Sequence, residues 1–298
     1  MSDILAQTTT VPALDLKPRS NNYWIGVLRR ISRDRLTVIC ATVLLALILI
    51  ALLAPWLIPA DPYKTSMIRR LLPVGSPGHF LGTDELGRDM IARLAYGGRM
   101  SLLIGVMPVL IAFVIGSAVG IFAGFAGGRI NMAIMRLLDV FYAFPSVLLA
   151  VAISGALGQG TTNSVLALTL IFIPQLTRIA ESATTQVRTL EYVDAARMSG
   201  ASSLTIIRVH ILGNVLGPIF VYATGLVSVS MILASGLSFL GLGVKPPEPE
   251  WGLMLNTLRS AIYLNPLVAA LPGAMIFITS MCFNLMADGI RSAMEVNE

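Results

Sequence analysis

Charged residues are scarce in this chain of 298 residues, because Asp, Glu, Lys and Arg together make up only 12% of it. A soluble domain typically carries about 25%, and 55% of the residues here are hydrophobic. This composition excludes a disordered chain, a nucleic-acid-binding domain and an ordinary soluble enzyme. The solvent of the chain is therefore mainly lipid. The net charge of +5 is interpreted as loop arginines that set the membrane topology.

Lysine, histidine and cysteine are also rare. None of the three lysines, Lys17, Lys64 and Lys245, follows a glycine-rich phosphate loop, which excludes a Walker A nucleotide site. The two histidines have no second ligand at metal spacing, and Cys40 and Cys282 lie inside apolar runs without forming a disulfide framework. No nucleophile, base and orienting group cluster in the sequence. We expect no catalytic residue, no metal site and no cofactor on this chain, which by itself is not an enzyme.

Long apolar runs dominate what is present. A transmembrane helix needs about 20 such residues to cross about 30 Å of hydrocarbon. The segments that meet or approach this length are 36–58, 100–125, 140–158, 164–183, 215–244 and 267–287. The fourth segment contains Arg178 and Glu181, three residues apart on one helical face, where they can pair. The sequence thus predicts an all-α integral membrane protein with six transmembrane helices.

The polar segments between these runs predict the orientation. Residues 1–35 are interpreted as a basic cytoplasmic tail, followed by an uncleaved signal-anchor helix. With both termini in the cytoplasm, most of the 21 Lys and Arg residues lie inside. Residues 59–99 then form an extracytoplasmic loop, and residues 291–298 form a C-terminal tail. Asp139 and Asp288 fall near cytoplasmic helix ends, which favours interface charges over the alternative of a proton relay.

Three glycines recur at intervals of four residues on one face of the second predicted span. Gly116, Gly120 and Gly124 form a small-xxx-small pattern that lets another helix approach closely. The alternative is the general enrichment of glycine in membrane helices. We predict that this face packs against a neighbouring helix.

The longest cytoplasmic connection has the signals of two short helices. Residues 191–199 are good helix formers, Gly200 offers a C-terminal stop, and Ser202 or Ser203 can cap a second helix that runs through Arg208. Two short helices set at an angle by a glycine predict a shaped docking surface.

This connection resembles the cytoplasmic EAA loop of ABC importer permeases, here residues 189–213. Asp194 stands where that family usually has Glu, and Gly213 stands where it usually has Pro, so entry into the fifth span is expected to be less rigid. The residues that the resemblance assigns to coupling with an ATPase are Glu191, Asp194, Ala195, Ala196, Arg197, Gly200, Ala201, Ser202, Ile211 and Leu212.

Three further stretches are similar to the dipeptide, oligopeptide and nickel group of these permeases. Residues 82–89 (GTDELGRD) look like the segment before the core in that group. Residues 237–252, which end in Glu-Trp-Gly, resemble its outer loop. Residues 283–291 (FNLMADGIR) match its C-terminal end, with Ala287 where Gly is common. The four stretches occur in the family's order along the chain.

The resemblance implies a MetI-like permease core over residues 100–290, preceded by one extra N-terminal helix, in a bacterial inner membrane. It also implies a second homologous permease subunit, two ATPase subunits that bind the ATP and Mg, and an extracytoplasmic substrate-binding protein. Lipid surrounds the chain, and no nucleic acid is involved. An ion-coupled secondary transporter and a membrane scaffold are the alternatives. The cargo stays open among short peptides, nickel and glutathione.

Overall fold

The computed structural model of the chain describes residues 23–295, and over that part the chain is helical with no β-strand. The helices are α1 Tyr23–Ile31, α2 Arg35–Leu57, α3 Met90–Ala126, α4 Gly128–Tyr142, α5 Ser146–Leu157, α6 Thr161–Arg188, α7 Glu191–Met198, α8 Ser203–Ile206, α9 Leu212–Phe239, α10 Trp251–Thr257 and α11 Pro266–Glu295. Short 3₁₀ turns occupy Met67–Arg69 and Ser260–Tyr263. Five of these helical segments are long and apolar enough to span a membrane, and the bent pair of α4 and α5 raises the number to six. The predicted all-α membrane fold is confirmed.

α3 and α11 are longer than the predicted apolar runs, because each helix continues through charged residues at one end. α3 begins at Met90 rather than at residue 100, since the Asp89 carboxylate accepts a hydrogen bond from the Ala92 amide (2.9 Å) and caps the helix. The loop predicted for residues 59–99 therefore ends at Asp89. α11 continues to Glu295, because good helix formers follow residue 290, so most of the predicted C-terminal tail is helical. Residues 1–22 and 296–298 of the predicted tails lie outside the described residues.

The third predicted span, residues 140–158, is not one straight helix. α4 and α5 meet at 84°, and the break lies at residues 143–145. Pro145 explains the break, because it has no amide hydrogen and disfavours helical geometry at Phe144.

α4 lies across α6 and provides partners for two of the three charged residues of that helix. Arg178 pairs with Asp139 (Nη2–Oδ1 2.6 Å), and Glu181 accepts a hydrogen bond from Asn131 (2.6 Å). The predicted pair between Arg178 and Glu181 does not form. Arg178 pairs with Asp139 of α4 instead, and Glu181 accepts hydrogen bonds from Asn131 of α4 and from Thr185 of its own helix.

The core of the bundle lies where α3, α6 and α9 pack together. Leu168 and Phe172 of α6, with Ile219 and Met231 of α9, are almost fully buried there. α11 packs against α9, and α2 packs against both α3 and α11. Where α2 meets α11, the free thiols of Cys40 and Cys282 are buried side by side.

The last turns of α2 are held by an arginine of α3. Pro55 lies inside α2 and supplies no amide hydrogen to the Ala51 carbonyl. Arg99 donates from Nε to that carbonyl (2.6 Å) and from Nη2 to the Leu52 carbonyl (2.7 Å). The arginine thus replaces a helical hydrogen bond and joins the two helices.

The two ends of the bundle carry different structures. At one end, residues 59–89 and 243–265 form a folded unit, which we call the cap. Its two parts are joined where Tyr63 donates to Glu248 (2.7 Å) and Asn265 donates to the Leu72 carbonyl (3.2 Å). At the other end lies the loop of residues 189–213.

Candidate functional site

The first half of loop 189–213 is α7, which follows directly on α6. Glu191 and Asp194 lie in its first turn, where carboxylates complement the positive end of the helix dipole. Arg197 donates to Asp194 (Nη1–Oδ1 3.0 Å), and both side chains remain exposed. α7 therefore presents a polar, charged face at the end of the bundle.

Gly200 ends α7 in a Schellman motif. Its backbone has a φ of +83°, its amide donates to the Arg197 carbonyl, and the Ala201 amide donates to the Ala196 carbonyl. A left-handed residue at this point favours glycine, because a Cβ would clash with the following carbonyl. Gly200 thereby sets the direction in which the chain leaves α7.

The second half of the loop is continuous with the span that follows. The Ser202 hydroxyl accepts a hydrogen bond from the Thr205 amide (3.3 Å) and caps α8. α8 passes through a π-helical segment, Ile207–Ile211, directly into α9. The predicted separate helix ending at Arg208 is therefore wrong, because Gly213 does not interrupt the helical backbone as a proline would. Ile211 and Leu212 form the base of α9.

An aromatic residue joins the two halves of the loop. Tyr192 packs against His210 (ring centroids 5.9 Å apart), and its hydroxyl accepts a hydrogen bond from Asn214 (3.1 Å). Beneath them Val193 and Ile211 are fully buried. Sequence reasoning missed Tyr192 and Val193, although both stand within the motif of residues 191–200. This packing makes loop 189–213 one folded unit.

The outer surface of loop 189–213 combines exposed apolar and polar side chains. Met198 is 91% exposed and Leu204 is 65% exposed. The predicted coupling residues around them are exposed (Glu191, Asp194, Ala195, Arg197, Gly200 and Ser202) or half-buried (Ala196 and Ala201), whereas Ile211 is buried and Leu212 half-buried at the base of α9. Apolar side chains rimmed by polar ones are typical of a protein-binding surface.

The three predicted packing glycines of α3 lie against α6. A Cβ at Gly116 would be 2.9 Å from the Leu176 Cβ, and one at Gly124 would be 2.7 Å from the Glu181 carbonyl oxygen. At Gly120 a Cβ would overlap the Thr177 carbonyl oxygen. The backbones of α3 and α6 approach closely because these side chains are missing.

Arg188 connects this helix pair to loop 189–213. Its Nη1 donates to the carbonyls of Gly124 (3.1 Å) and Phe125 (3.0 Å), which lie at the end of α3. These carbonyls belong to the last turn, which has no intrahelical donors. The loop is thus anchored to α3 as well as to α6 and α9.

The motif of residues 82–89 forms a buried ion-pair network in the cap. Asp84 pairs with Arg88 (Nε–Oδ2 2.6 Å) and lies 3.2 Å from the Nε of Arg93, and all three side chains are almost fully buried. His79 pairs with Asp89 (2.8 Å), the residue that caps α3. Breaking such a buried network is costly, because it leaves an uncompensated charge. The motif therefore folds the cap onto the first turn of α3.

The Glu-Trp-Gly motif of residues 250–252 fixes the other part of the cap. Glu250 accepts hydrogen bonds from the amides of Gly252 and Leu253 (both 2.8 Å) and from the Ser101 hydroxyl (3.1 Å). Burial raises the pKa of Glu250 above its usual range, although these donors favour the carboxylate. Trp251 donates from its indole to the Leu94 carbonyl (2.9 Å). Both motif residues thus anchor the cap to α3.

Burial also affects the contact between the two parts of the cap. It raises the pKa of Tyr63 to about 12, and the hydrogen bond to Glu248 acts in the same direction. Tyr63 therefore stays a neutral donor at physiological pH.

Two family models match this chain. Residues 116–296 match the model described as the binding-protein-dependent transport system inner membrane component. Residues 22–73 match the N-terminal transmembrane domain of oligopeptide transport permease C. The second match contains α2, the extra helix before the core.

Similar proteins extend over nearly the whole chain. The glutathione transport system permease protein GsiD of Pectobacterium atrosepticum is 40% identical over 91% of this chain and 90% of its own length. The di/tripeptide transport system permease protein DppC of Pseudomonas aeruginosa is 41% identical over 85% of each chain. The probable D,D-dipeptide transport system permease protein DdpC of Escherichia coli is 38% identical over 87% of each.

The fold matches that of a solved membrane transporter. A chain of the MetNI methionine ABC transporter, in an inward-facing conformation, superposes with a TM-score of 0.57 over 68% of this chain and 97% of its own, at 18% sequence identity. The family match, together with relatives that cover 85% or more of this chain, shows that the chain belongs to the family of inner-membrane components of binding-protein-dependent transport systems. It is a multi-pass permease subunit, not an enzyme, and it works with ATPase and substrate-binding partners.

Proposed function

We propose that the chain forms half of the translocation pore of an ATP-driven importer for short peptides, with a second homologous permease subunit forming the other half. The cargo is inferred from the relatives, whose names specify glutathione, di- and tripeptides, and D,D-dipeptides. These cargos share a short peptide backbone, since glutathione is itself a tripeptide. Nickel is the less supported cargo.

Loop 189–213 carries this proposal, because it is the part of the chain best suited to receive an ATPase subunit. It exposes Met198 and Leu204 beside the charged pair of Asp194 and Arg197. Through α8 and the π-helical segment it is continuous with α9, which packs against α3, α6 and α11. Movement of a docked ATPase would therefore be transmitted to the spans through a helix rather than a flexible linker.

The remaining assignments follow from this one. Loop 189–213 faces the cytoplasm, as do both termini, and the cap faces outward, where a substrate-binding protein delivers cargo. Two ATPase subunits hold the ATP and Mg, and this chain holds neither. Closure of the ATPases moves the two copies of the loop together and switches the spans between inward-open and outward-open states.

The test is uptake by proteoliposomes that contain the assembled complex. With the binding protein outside and ATP inside, we expect a labelled tripeptide to accumulate. Without ATP there should be none, whether or not an ion gradient is imposed. The purified chain alone should hydrolyse no ATP, whereas the complex should hydrolyse it faster with loaded binding protein. Uptake driven by an ion gradient without ATP would support the secondary transporter instead.

A further inference from the structure

A polar cleft opens where α6, α9 and α11 converge. Its volume is about 340 Å³, and its polar lining includes Gln175 of α6, Tyr222 of α9, and Asn284 and Asp288 of α11. The Tyr222 hydroxyl lies 3.5 Å from the Gln175 amide oxygen, at the limit of a hydrogen bond. Polar groups from three different spans therefore share one space.

The exposed face of α11 changes its chemistry at this cleft. Nearer the cap, the face carries Phe277, Ile278 and Met281, which are exposed and apolar as expected for contact with lipid. From Asn284 to Asp288 the same face is exposed and polar. Polar side chains inside a membrane protein almost always face the bundle interior or a water-filled cavity rather than lipid. The cleft is therefore expected to hold water.

A second cavity in the bundle is larger than the polar cleft but mainly apolar. It lies between α2, α3 and α6, has a volume of about 850 Å³, and is lined mainly by apolar side chains such as Ile48, Leu102, Met107 and Leu166. Such a lining suits lipid chains and offers few partners for a peptide bond, whose unpaired burial is costly. The smaller cleft is therefore the better place for a water-soluble peptide.

We propose that this cleft is the chain's wall of the translocation path, and that Gln175, Tyr222 and Asn284 bind the backbone amides of a short peptide in transit. The inference rests on the proposed function. Primary amides both donate and accept hydrogen bonds, as peptide groups do, and the phenol does the same. Contacts of this kind recognise the backbone, which all short peptides share. The volume lies within the range of small-molecule sites, about 300–1,000 Å³.

The connection to loop 189–213 gives the cleft a way to respond to ATPase movement. Tyr222, Gly225 and Val229 line it from successive turns of α9, the helix that begins in that loop. A tilt of α9 changes the distance between these residues and α11. The cleft would thus open and close with the ATPase cycle.

Cysteine accessibility in the reconstituted complex tests the cleft. We place single cysteines by Gly225→Cys and Asn284→Cys in a background with Cys40→Ala and Cys282→Ala. A Cβ at Gly225 has room, since its nearest neighbour would be the Ala287 Cβ at 3.8 Å. The matched controls are Leu170→Cys on α6 and Ile278→Cys on α11, both exposed positions that carry an apolar residue. We expect a charged methanethiosulfonate to modify the cleft positions at least about tenfold faster, because thiolates form in water and not in lipid.

Uptake is the second measurement. The double variant Gln175→Leu with Asn284→Leu should import a labelled tripeptide about tenfold more slowly, because two amide partners are lost. Co-purification of the ATPase with this variant should stay within about twofold of the wild-type level, since loop 189–213 is untouched. Ile278→Leu should change neither quantity.

The outcomes separate this inference from the proposed function. A wild-type complex that does not import peptide with ATP refutes the importer. A wild-type complex that imports, with cleft cysteines no more reactive than the controls, refutes the cleft and leaves the importer standing. Unchanged uptake by the double leucine variant also overturns the inference. If that variant does not assemble, the reactivity of Gly225→Cys decides.

Discussion

Single residues decide how closely α3 approaches α6. At Gly120 a side chain would overlap the Thr177 carbonyl oxygen and lie 2.6 Å from the Ala180 Cβ. We expect Gly120→Leu to destabilise the chain by about 1–3 kcal/mol through overpacking, since the backbone of α6 must move. Thermal unfolding in detergent, followed by tryptophan fluorescence, measures the effect.

The control for this change is Val114→Leu on the same helix. Val114 is 67% exposed, so the larger side chain meets no neighbour within the chain, and stability should change by less than about 0.5 kcal/mol. An unaltered melting temperature for Gly120→Leu would show that the close approach at this residue contributes nothing to stability.

Whole elements depend on contacts between helices that no sequence pattern reveals, and the junction of α2 and α3 is an example. Pro55 supplies no donor to the Ala51 carbonyl, and Arg99 supplies one from the other helix. Arg99→Leu should therefore cost about 1–3 kcal/mol, the penalty for leaving the partly buried Ala51 carbonyl without a donor. In a Pro55→Ala background the new amide restores the helical bond, so the same substitution should cost about 1 kcal/mol less.

A double-mutant cycle measured by thermal unfolding gives this difference. The loss of the contact between Arg99 and the Tyr96 ring (5.4 Å) is common to both backgrounds and cancels. Equal costs in the two backgrounds would mean that Arg99 does not compensate for the proline.

A second prediction about whole elements concerns the turn at Gly200 between α7 and α8. Gly200→Val places a β-branched residue at a φ of +83°, a conformation that such residues rarely adopt. We expect the direction of the chain after α7 to change while the six spans still insert. Membrane level should be normal, whereas co-purification of the ATPase or uptake should be lost.

Asp194→Asn is the milder comparison for this variant. The pair of Asp194 with Arg197 is exposed, and exposed pairs contribute about 1 kcal/mol or less. Uptake should therefore fall much less than for Gly200→Val. Normal transport by Gly200→Val would make loop 189–213 a plain connector.

Sequence patterns predicted elements well where local signals decide the structure. The long apolar runs gave five helices close to their observed positions, and Gly200 does lie at a turn that requires a left-handed residue. The patterns failed where a distant partner decides. Arg178 and Glu181 form their interactions with α4 rather than with each other. The bend before α5 follows from Pro145, which lies inside the apolar run 140–158, and hydropathy alone predicts a single span for that run.

In the candidate site, too, local sequence signals predicted some features, whereas features that depend on distant partners were missed. The glycine spacing on α3 predicted a packing face without specifying α6 as the partner. The cleft polar groups Gln175, Tyr222 and Asn284 are far apart in sequence and lie on three different helices. Only the packing of three helices brings them together.

The molecule as a whole has two unlike ends. The cap contains a buried group of charges, namely the network of Asp84, Arg88 and Arg93 together with Glu250. In loop 189–213, by contrast, the charged side chains Glu191, Asp194, Arg197 and Arg208 are all exposed, together with Met198 and Leu204. This difference between the ends fits delivery of cargo at the cap and docking of an ATPase at loop 189–213. The orientation of the chain in the membrane can therefore be tested by asking which end is accessible from outside the cell.

The orientation can be tested with one cysteine at each end. In the background with Cys40→Ala and Cys282→Ala, Lys245→Cys places a thiol on the cap and Met198→Cys places one on loop 189–213, both at exposed positions. In spheroplasts an impermeant maleimide should label the first and not the second, because the proposed topology places the cap outside and loop 189–213 in the cytoplasm, where the ATPase docks. After lysis it should label both, unless a docked ATPase covers Met198→Cys, and expression of this chain without its partners removes that protection. Labelling of Met198→Cys in intact spheroplasts would invert the topology and place the coupling surface outside, where no ATPase could reach it.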